Sequence, residues 1–396
     1  MRKLYFILYI IILNLGGQLK AQTDPQLQWV FNAVDSEILG GDSDGKDIIT
    51  DAVGNKYVTG IYNITQDFDP GVGIVNITAI SESTSEAFLA KYDVNGNYLW
   101  VKVIKGYFGS SGNSLALDSN GDVYLTGRFM GRIYFTSSIS TDTYYTQSAS
   151  DIFLAKYDAD GNYLWSKQIG GSGGSEIPNS MILDNSNNVY ITGSFTGNSD
   201  FDPSASNANI TSKGATDAFL AKYDANGNYI WATGMGGINS DSSISMNIDN
   251  SSIYIAGNFM GTSDFNPSSG VANLTSVGNN DVFFAKYDTN GNYIWAESIG
   301  GPLNDNVKSL TIDSNSNIYL SGIFSATSDF DPSLSNANLT ASGGSDIFLA
   351  KYNLNGNYLW AKRIGGTTSF DTANSLAVDS SNKYLCYRCL YRNSRF

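Results

Sequence analysis

Apolar residues along this chain come in short runs separated by clusters of Asn, Asp, Ser and Gly, and nothing in the body has helical spacing. The segment from Asn179 to Trp231 shows the pattern. It holds Asn179–Asp184 (NSMILD), Val189–Thr196 (VYITGSFT), Ala218–Tyr223 (AFLAKY) and the start of a fourth run at Asn228–Trp231. Short runs rich in β-branched and aromatic residues, bounded by turn formers, predict strands. The third run reaches the fourth through Asp224-Ala225-Asn226-Gly227. Asn-Gly between two apolar runs predicts a tight type I′ hairpin with positive φ at both central residues. The dipeptide recurs as Asn95-Gly96, Asn290-Gly291 and Asn355-Gly356, with Asp160-Gly161 in its place once.

Lys-Tyr-Asp or Lys-Tyr-Asn begins at Lys91, Lys156, Lys222, Lys286 and Lys351, at intervals of 65, 66, 64 and 65 residues. Nine residues after each lysine comes a tryptophan: Trp100, Trp165, Trp231, Trp295 and Trp360. A fixed period of this size marks a repeat architecture. Four antiparallel strands with apolar residues on both faces need cover on both faces. Identical neighbours supply it by stacking around an axis, which predicts an all-β fold, a β-propeller of four-stranded antiparallel blades. The repeated tryptophans and Phe88, Phe153, Phe219, Phe283 and Phe348 are then expected between blades rather than on a ligand-stacking surface.

The segments Asp217–Trp231 (DAFLAKYDANGNYIW) and Asp313–Phe324 (DSNSNIYLSGIF) resemble the bacterial β-propeller repeat known as SBBP. The resemblance extends over about Asp47 to Phe370. It implies a secreted or cell-surface propeller of the kind common in bacteria, Bacteroidetes included, with no generic catalytic motif. A C-terminal secretion-sorting domain, carried by many Bacteroidetes relatives, is not recognisable in the sequence.

The repeat orders the chain into blades at about 47–105, 112–170, 179–236, 243–300 and 308–365, with a partial blade at 373–382. Residues 22–382 make up the expected propeller. Gln26-Leu27-Gln28-Trp29-Val30 reads as a lone fourth strand, about 26–34, that would close the ring on the last blade. Met1-Arg2-Lys3, the apolar run Leu4–Leu15 and Ala21 give the order of a signal peptide over residues 1–21. The apolar run is too short to span a bilayer, and no later segment is a candidate. The tail 383–396 breaks the pattern and holds the only cysteines, Cys386 and Cys389. With one choice of synonymous codons, dropping one base from Tyr384 onward gives I-F-V-I-G-V-Y-T-E-T-V-D-F. That matches Ile318–Phe330 in register, so the tail reads either as out of frame or as a divergent closing strand.

Composition narrows the function. There is no histidine, which excludes a Ser-His-Asp triad and His-ligated metal sites. With 23 basic against 37 acidic residues and no basic run, nucleic acid is excluded as a partner. Only five of the acids are Glu, so the excess is aspartate, a turn former. In a four-strand meander the one–two and three–four turns share one end, and here they are nearly invariant. The two–three and inter-blade connections share the other end and vary (170–179 against 236–243 or 300–308), which makes that end the candidate binding face.

The same face carries Asp67-Phe68-Asp69-Pro70, Asp200-Phe201-Asp202-Pro203 and Asp329-Phe330-Asp331-Pro332, with Asp264-Phe265-Asn266-Pro267 as a variant and Ile133-Tyr134-Phe135 instead in blade two. Asp67, Asp69, Asp200, Asp202, Asp264, Asp329 and Asp331 read either as calcium ligands or as Asx-type turns before proline with the Phe as a plug. The turns at Asp93, Asp224 and Asp288 resemble part of an EF-hand loop, lack its glutamate, and read as hairpins. Glu176 and Asp305 lie on the variable face and receive no role. The sequence therefore favours a secreted, non-enzymatic binding or adhesion module for protein or glycan. A carbohydrate-active hydrolase or lyase and a structural piece of a longer surface protein are the alternatives.

Overall fold

The computed structural model describes residues 10–12, 34–35 and 43–390, apart from 82–83, 137–140, 147–148, 172, 250, 368–370 and 379–383. The described residues form no helix, and two compact units divide the chain, Trp29–Gly234 and Met1–Gln28 with Met235–Phe396. Each unit is built from blades of four antiparallel strands. In the first unit they are Asp44–Thr50, Lys56–Tyr62, Glu86–Tyr92 and Tyr98–Gly106, then Ser110–Leu117, Val123–Phe129, Asp151–Tyr157 and Tyr163–Ile169. A third set, Ser175–Leu183, Val189–Thr196, Asp217–Tyr223 and Tyr229–Gly237, begins in that unit and runs to its end. The second unit holds Ser242–Ile248, Ser252–Asp264, Asn273–Asp288 and Tyr293–Ile299, then Asn306–Ile312, Ile318–Phe324, Asp346–Tyr352 and Tyr358–Ile364. This is the β-propeller blade, repeated.

The third strand of each blade lies at the centre of the packing. Glu86–Tyr92 is buried at every position, and its four counterparts are buried almost throughout. Phe88, Phe153, Phe219, Phe283 and Phe348 are all buried. Each such ring contributes about 1.5–3 kcal/mol on leaving water. The tryptophans are only half-buried, and four of them meet a tyrosine ring edge-on: Tyr57, Tyr124, Tyr190 and Tyr319, at 5.9–6.2 Å. Those tyrosines also carry the lysines of the Lys-Tyr-Asp motif, with Nζ 4.6–4.8 Å from the ring centroid. Neighbouring first strands are stitched within each unit. Leu115 N–H donates to Asp47, Met181 to Ser114, Leu310 to Ser245 and Leu376 to Ser309, at 2.7–3.2 Å.

The three–four turns differ from the predicted hairpin type. Of the Asn-Gly pair only the glycine has positive φ, as at Gly96, Gly227, Gly291 and Gly356. The loop is three residues long, and the aspartate before it accepts two backbone N–H groups through Oδ1: Asp93 takes those of Asn95 and Asn97. A type I turn closed by one left-handed residue needs glycine once, and the Asp cap removes the demand on Asn. The one–two turns use the same device, with Asn187 and Ser316 in the left-handed position.

Two further short strands, absent from the four-strand expectation, form an arm between strands two and three. They are Thr65–Asp67 with Asn76–Thr78, Asn198–Asp200 with Asn209–Thr211, and Thr327–Asp329 with Asn338–Thr340. Residues 26–33 of the expected closing strand lie outside the described residues. Val34–Asp35 pairs with the first arm, Val34 opposite Asp67. In later blades the end of a fourth strand meets an arm in the same way, Gly236 opposite Asp264 and Gly300 opposite Asp329.

The tail residues Tyr384–Leu390 pair with Asp371–Val378 as a second strand, and Ile10–Ile12 pairs with them in turn. The first strand has the same one-residue bulge as the other blades, here between Ala373 and Ser375. That register puts Arg388 where the complete blades have Gly60, Gly127, Gly193, Gly257 and Gly322. A Cβ at any of these glycines would run into the carbonyl oxygen of Asp44, Ser111, Ile177, Ser242 or Asn306. With the synonymous codons chosen above, the one-base shift would put glycine at 388, the residue found there in the complete blades. Gly322→Ala should therefore destabilise the chain by about 1–3 kcal/mol in denaturant titration. Arg388→Gly should raise hydrogen-exchange protection in Asp371–Val378, and a null result there would favour the divergent-strand reading.

Candidate functional site

The arms and inter-blade loops share one end of each blade, and backbone bonds knit them together. Gly170 N–H donates to Asp200 C=O at 2.9 Å, and Asp329 and Gly300 exchange both bonds. The Asp-Phe-Asp-Pro segments sit inside this network. Oδ1 of Asp67 accepts the N–H groups of Asp69 and Val75. Asp200 does the same for Asp202 and Ala208, Asp264 for Asn266 and Ala272, and Asp329 for Asp331 and Ala337. The second acid caps the next turn: Asp69 takes Gly71 N–H, Asp202 takes Ser204, and Asp331 takes Ser333.

Between the two acids the phenylalanine turns inward. Phe68, Phe201, Phe265 and Phe330 are buried against the strand-three phenylalanines at 4.5–5.1 Å between centroids. The hydroxyls of Tyr92, Tyr223, Tyr287 and Tyr352 donate to their backbone carbonyls. The motif thus serves as a capped, plugged loop. No cluster of three or more His, Cys, Asp or Glu side chains that could hold a metal occurs among the described residues.

Beneath the loops lie acids that the sequence pattern gave no role. An acid opens the buried stretch of strand three in every blade (Glu86, Asp151, Asp217, Asp281, Asp346), and Glu176, Asp241, Asp305 and Asp371 lie at the start of the first strand of the next; all are buried. Most of them close a loop from below. Asp281 accepts Val277 N–H, Asp305 accepts Gly301 N–H, and Asp241 accepts Gly237 N–H. Two pairs are described within the units. Asp305 takes the Gly301 amide, and the neighbouring Asp281, which takes the Val277 amide through Oδ2, has no hydrogen-bond partner at Oδ1. Burial, then the neighbouring Asp305 charge, pushes Asp281 up to about 6, and burial pushes Asp305 up to about 6. Glu176, which accepts from the Ser199 hydroxyl, is pushed up to about 8 by burial and by Asp151. The signal was present in the sequence as an acid repeated two residues before each strand-three phenylalanine.

Residues 164–202 and 294–322 match the model of the SBBP β-propeller repeat. The chain carries the repeat of that family. It is also similar to an uncharacterized WD repeat-containing protein of Acanthamoeba polyphaga mimivirus, 27% identical over 86% of this chain and 30% of the other. The Regulatory protein FlaEY of Caulobacter vibrioides is 27% identical over 43% of this chain and 18% of its own. The chain therefore spans less than a third of either relative. Among solved structures, a Bacteroides caccae protein of unknown function aligns over 81% of this chain and 82% of its own, with 8% identity and a TM-score of 0.35. The extracellular domain of a one-component system from B. thetaiotaomicron aligns over 89% and 65%, with 11% identity and a TM-score of 0.17.

Two measurements follow. If the Asp-Phe-Asp-Pro loops are self-capped turns, Asp329→Ala costs about 1–3 kcal/mol by orphaning two amides, equally in EDTA and in calcium; a melting point raised by calcium would restore the metal reading. The pH profile has two limbs. Turn acids such as Asp313, whose hydrogen bonds to Asn317 outweigh burial, sit below their ordinary value of 3.8, so their stability is present above it and lost on acidification. Glu176, Asp281 and Asp305 are raised, so their contribution is intact below the ordinary carboxylate range and lost as pH climbs through about 6 to 8. The melting temperature should fall between pH 5 and pH 8, and Asp281→Asn should flatten that slope.

Proposed function

We propose that this chain is an extracellular, non-enzymatic binding module that takes protein or glycan through the variable-loop end of its blades. The observation that carries the reading is the division of labour within the repeat. Strands and short turns are nearly copied from blade to blade, while the opposite loops differ in length and sequence, most of them anchored by a buried carboxylate. Diversity on a fixed scaffold is what a recognition surface requires.

The acids also weigh against catalysis. The most strongly perturbed carboxyls, Glu176, Asp281 and Asp305, are buried beneath the loops, where substrate does not reach them. Residues 1–21 are proposed to direct export, and among the described residues no helix is long and apolar enough to cross a membrane. Because the chain spans only part of its relatives, a structural role within a longer surface protein is the second reading.

A glycan and surface-protein array, paired with a hydrolysis assay on every glycan bound, tests the proposal. Binding without turnover is expected. Turnover would favour a carbohydrate-active enzyme. Absence of any binding, with intact folding, would favour the structural role. N-terminal sequencing of the exported protein should find Gln22 first.

A further inference from the structure

The second blade breaks the repeat at its arm. In place of the Asp-Phe-Asp-Pro loop it has a longer hairpin, Arg132–Thr136 paired with Thr141–Tyr145. The hairpin continues the sheet of the first blade, since Ile133 lies opposite Gly106 and Tyr134 opposite Lys105, and Tyr107 N–H donates to Arg132 C=O at 2.7 Å. Side chains alternate along a strand, so Ile133 and Phe135 point into the core, where both are buried. The outward positions form two adjacent rows, Lys105–Tyr134–Thr143 and Tyr107–Arg132–Tyr145. Tyr107, Phe108 and Tyr145 are 57%, 61% and 57% exposed.

Arg132 is held in an unusual way. Its guanidinium lies 4.1 Å from the Tyr134 ring centroid and 5.8 Å from that of Tyr145. Its Nε is buried without a hydrogen-bond partner. The hairpin's acid, Asp142, instead accepts the hydroxyl of Tyr163. A guanidinium set over an aromatic ring can still offer N–H groups to a planar, two-oxygen acceptor, and with Nε buried that offer falls to the two terminal Nη groups of Arg132. Lys105, exposed, lies opposite Tyr134 in a chain whose formal charge is −14.

We infer that this outward face of the second-blade hairpin binds a carboxylate-bearing carbohydrate, with Arg132 taking the carboxylate of a uronic acid and Tyr107, Phe108 and Tyr145 stacking on pyranose rings. The inference rests on the reading of the loop end as a binding surface. The three rings are more than half exposed, Tyr107 and Phe108 meeting edge-on at 5.4 Å. That suits the flat C–H faces of successive sugars better than peptide side chains, which need concave anchors.

The test uses the full chain with oligosaccharides of galacturonate, glucuronate and mannuronate, their carboxyl-reduced counterparts, and an acidic peptide, measured by calorimetry. Binding to at least one uronate is expected. It should weaken about tenfold or more in Arg132→Gln, less in Arg132→Lys, and fall with added salt. Tyr145→Ala should weaken uronate and carboxyl-reduced sugar alike, and circular dichroism should show all three variants folded. Equal affinity for charged and reduced sugars, indifference to Arg132→Gln, or preference for the peptide would overturn the inference. If other glycans or proteins bind independently of Arg132, the loop-face reading stands while this site falls; if the chain binds nothing, both fall.

Discussion

A sheet that is apolar on both faces cannot stand alone in water, and everything else in this chain follows from covering it. The third strand is the extreme case, with almost no residue of Glu86–Tyr92 or its copies reaching solvent. Covering both faces with further copies fixes the period, the aromatic layers and the buried backbone ends. Those ends need hydrogen-bond partners, and aspartate supplies them in the turns, in the arms and beneath the loops. The acidity of the chain is therefore largely a consequence of capping.

Much of this was legible in the residues. The lysine–tyrosine and tryptophan spacings predicted the blades, and alternating variable and invariant connections predicted which loops share an end. Three features were not legible, each for a physical reason. The arms are strands of three residues, too short for alternation to show. The turn type depended on the carboxylate of Asp93 or Asp224 relieving Asn of positive φ, a side-chain effect that a dipeptide signal does not carry. The acid pairs join residues some 25 positions apart across a blade junction, so Asp281 and Asp305 look unrelated until the fold brings them close enough for the charge of one to raise the other.

The Asp-Phe-Asp-Pro loops show how a plausible ligand pattern can be spent on the fold itself. Two acids two residues apart resemble half a calcium site, yet Oδ1 of each leading acid already takes two amides, and the intervening Phe and the strand-three Tyr lock the loop from within. The second blade, which lacks this lock, is where exposed aromatic rings and an arginine lying over two of the tyrosines are found. Chemistry becomes available where the structural motif has been given up.

Because most of these loops are closed at the base by a buried carboxylate, what happens above the closure is of little concern to the sheet below. The blade then behaves as a socket. Segments of different length and chemistry can be exchanged at one position by recombination between copies, without repacking a neighbour. A lineage carrying such a repeat could change what it recognises faster than it changes its fold, and the second-blade hairpin reads as one such exchange.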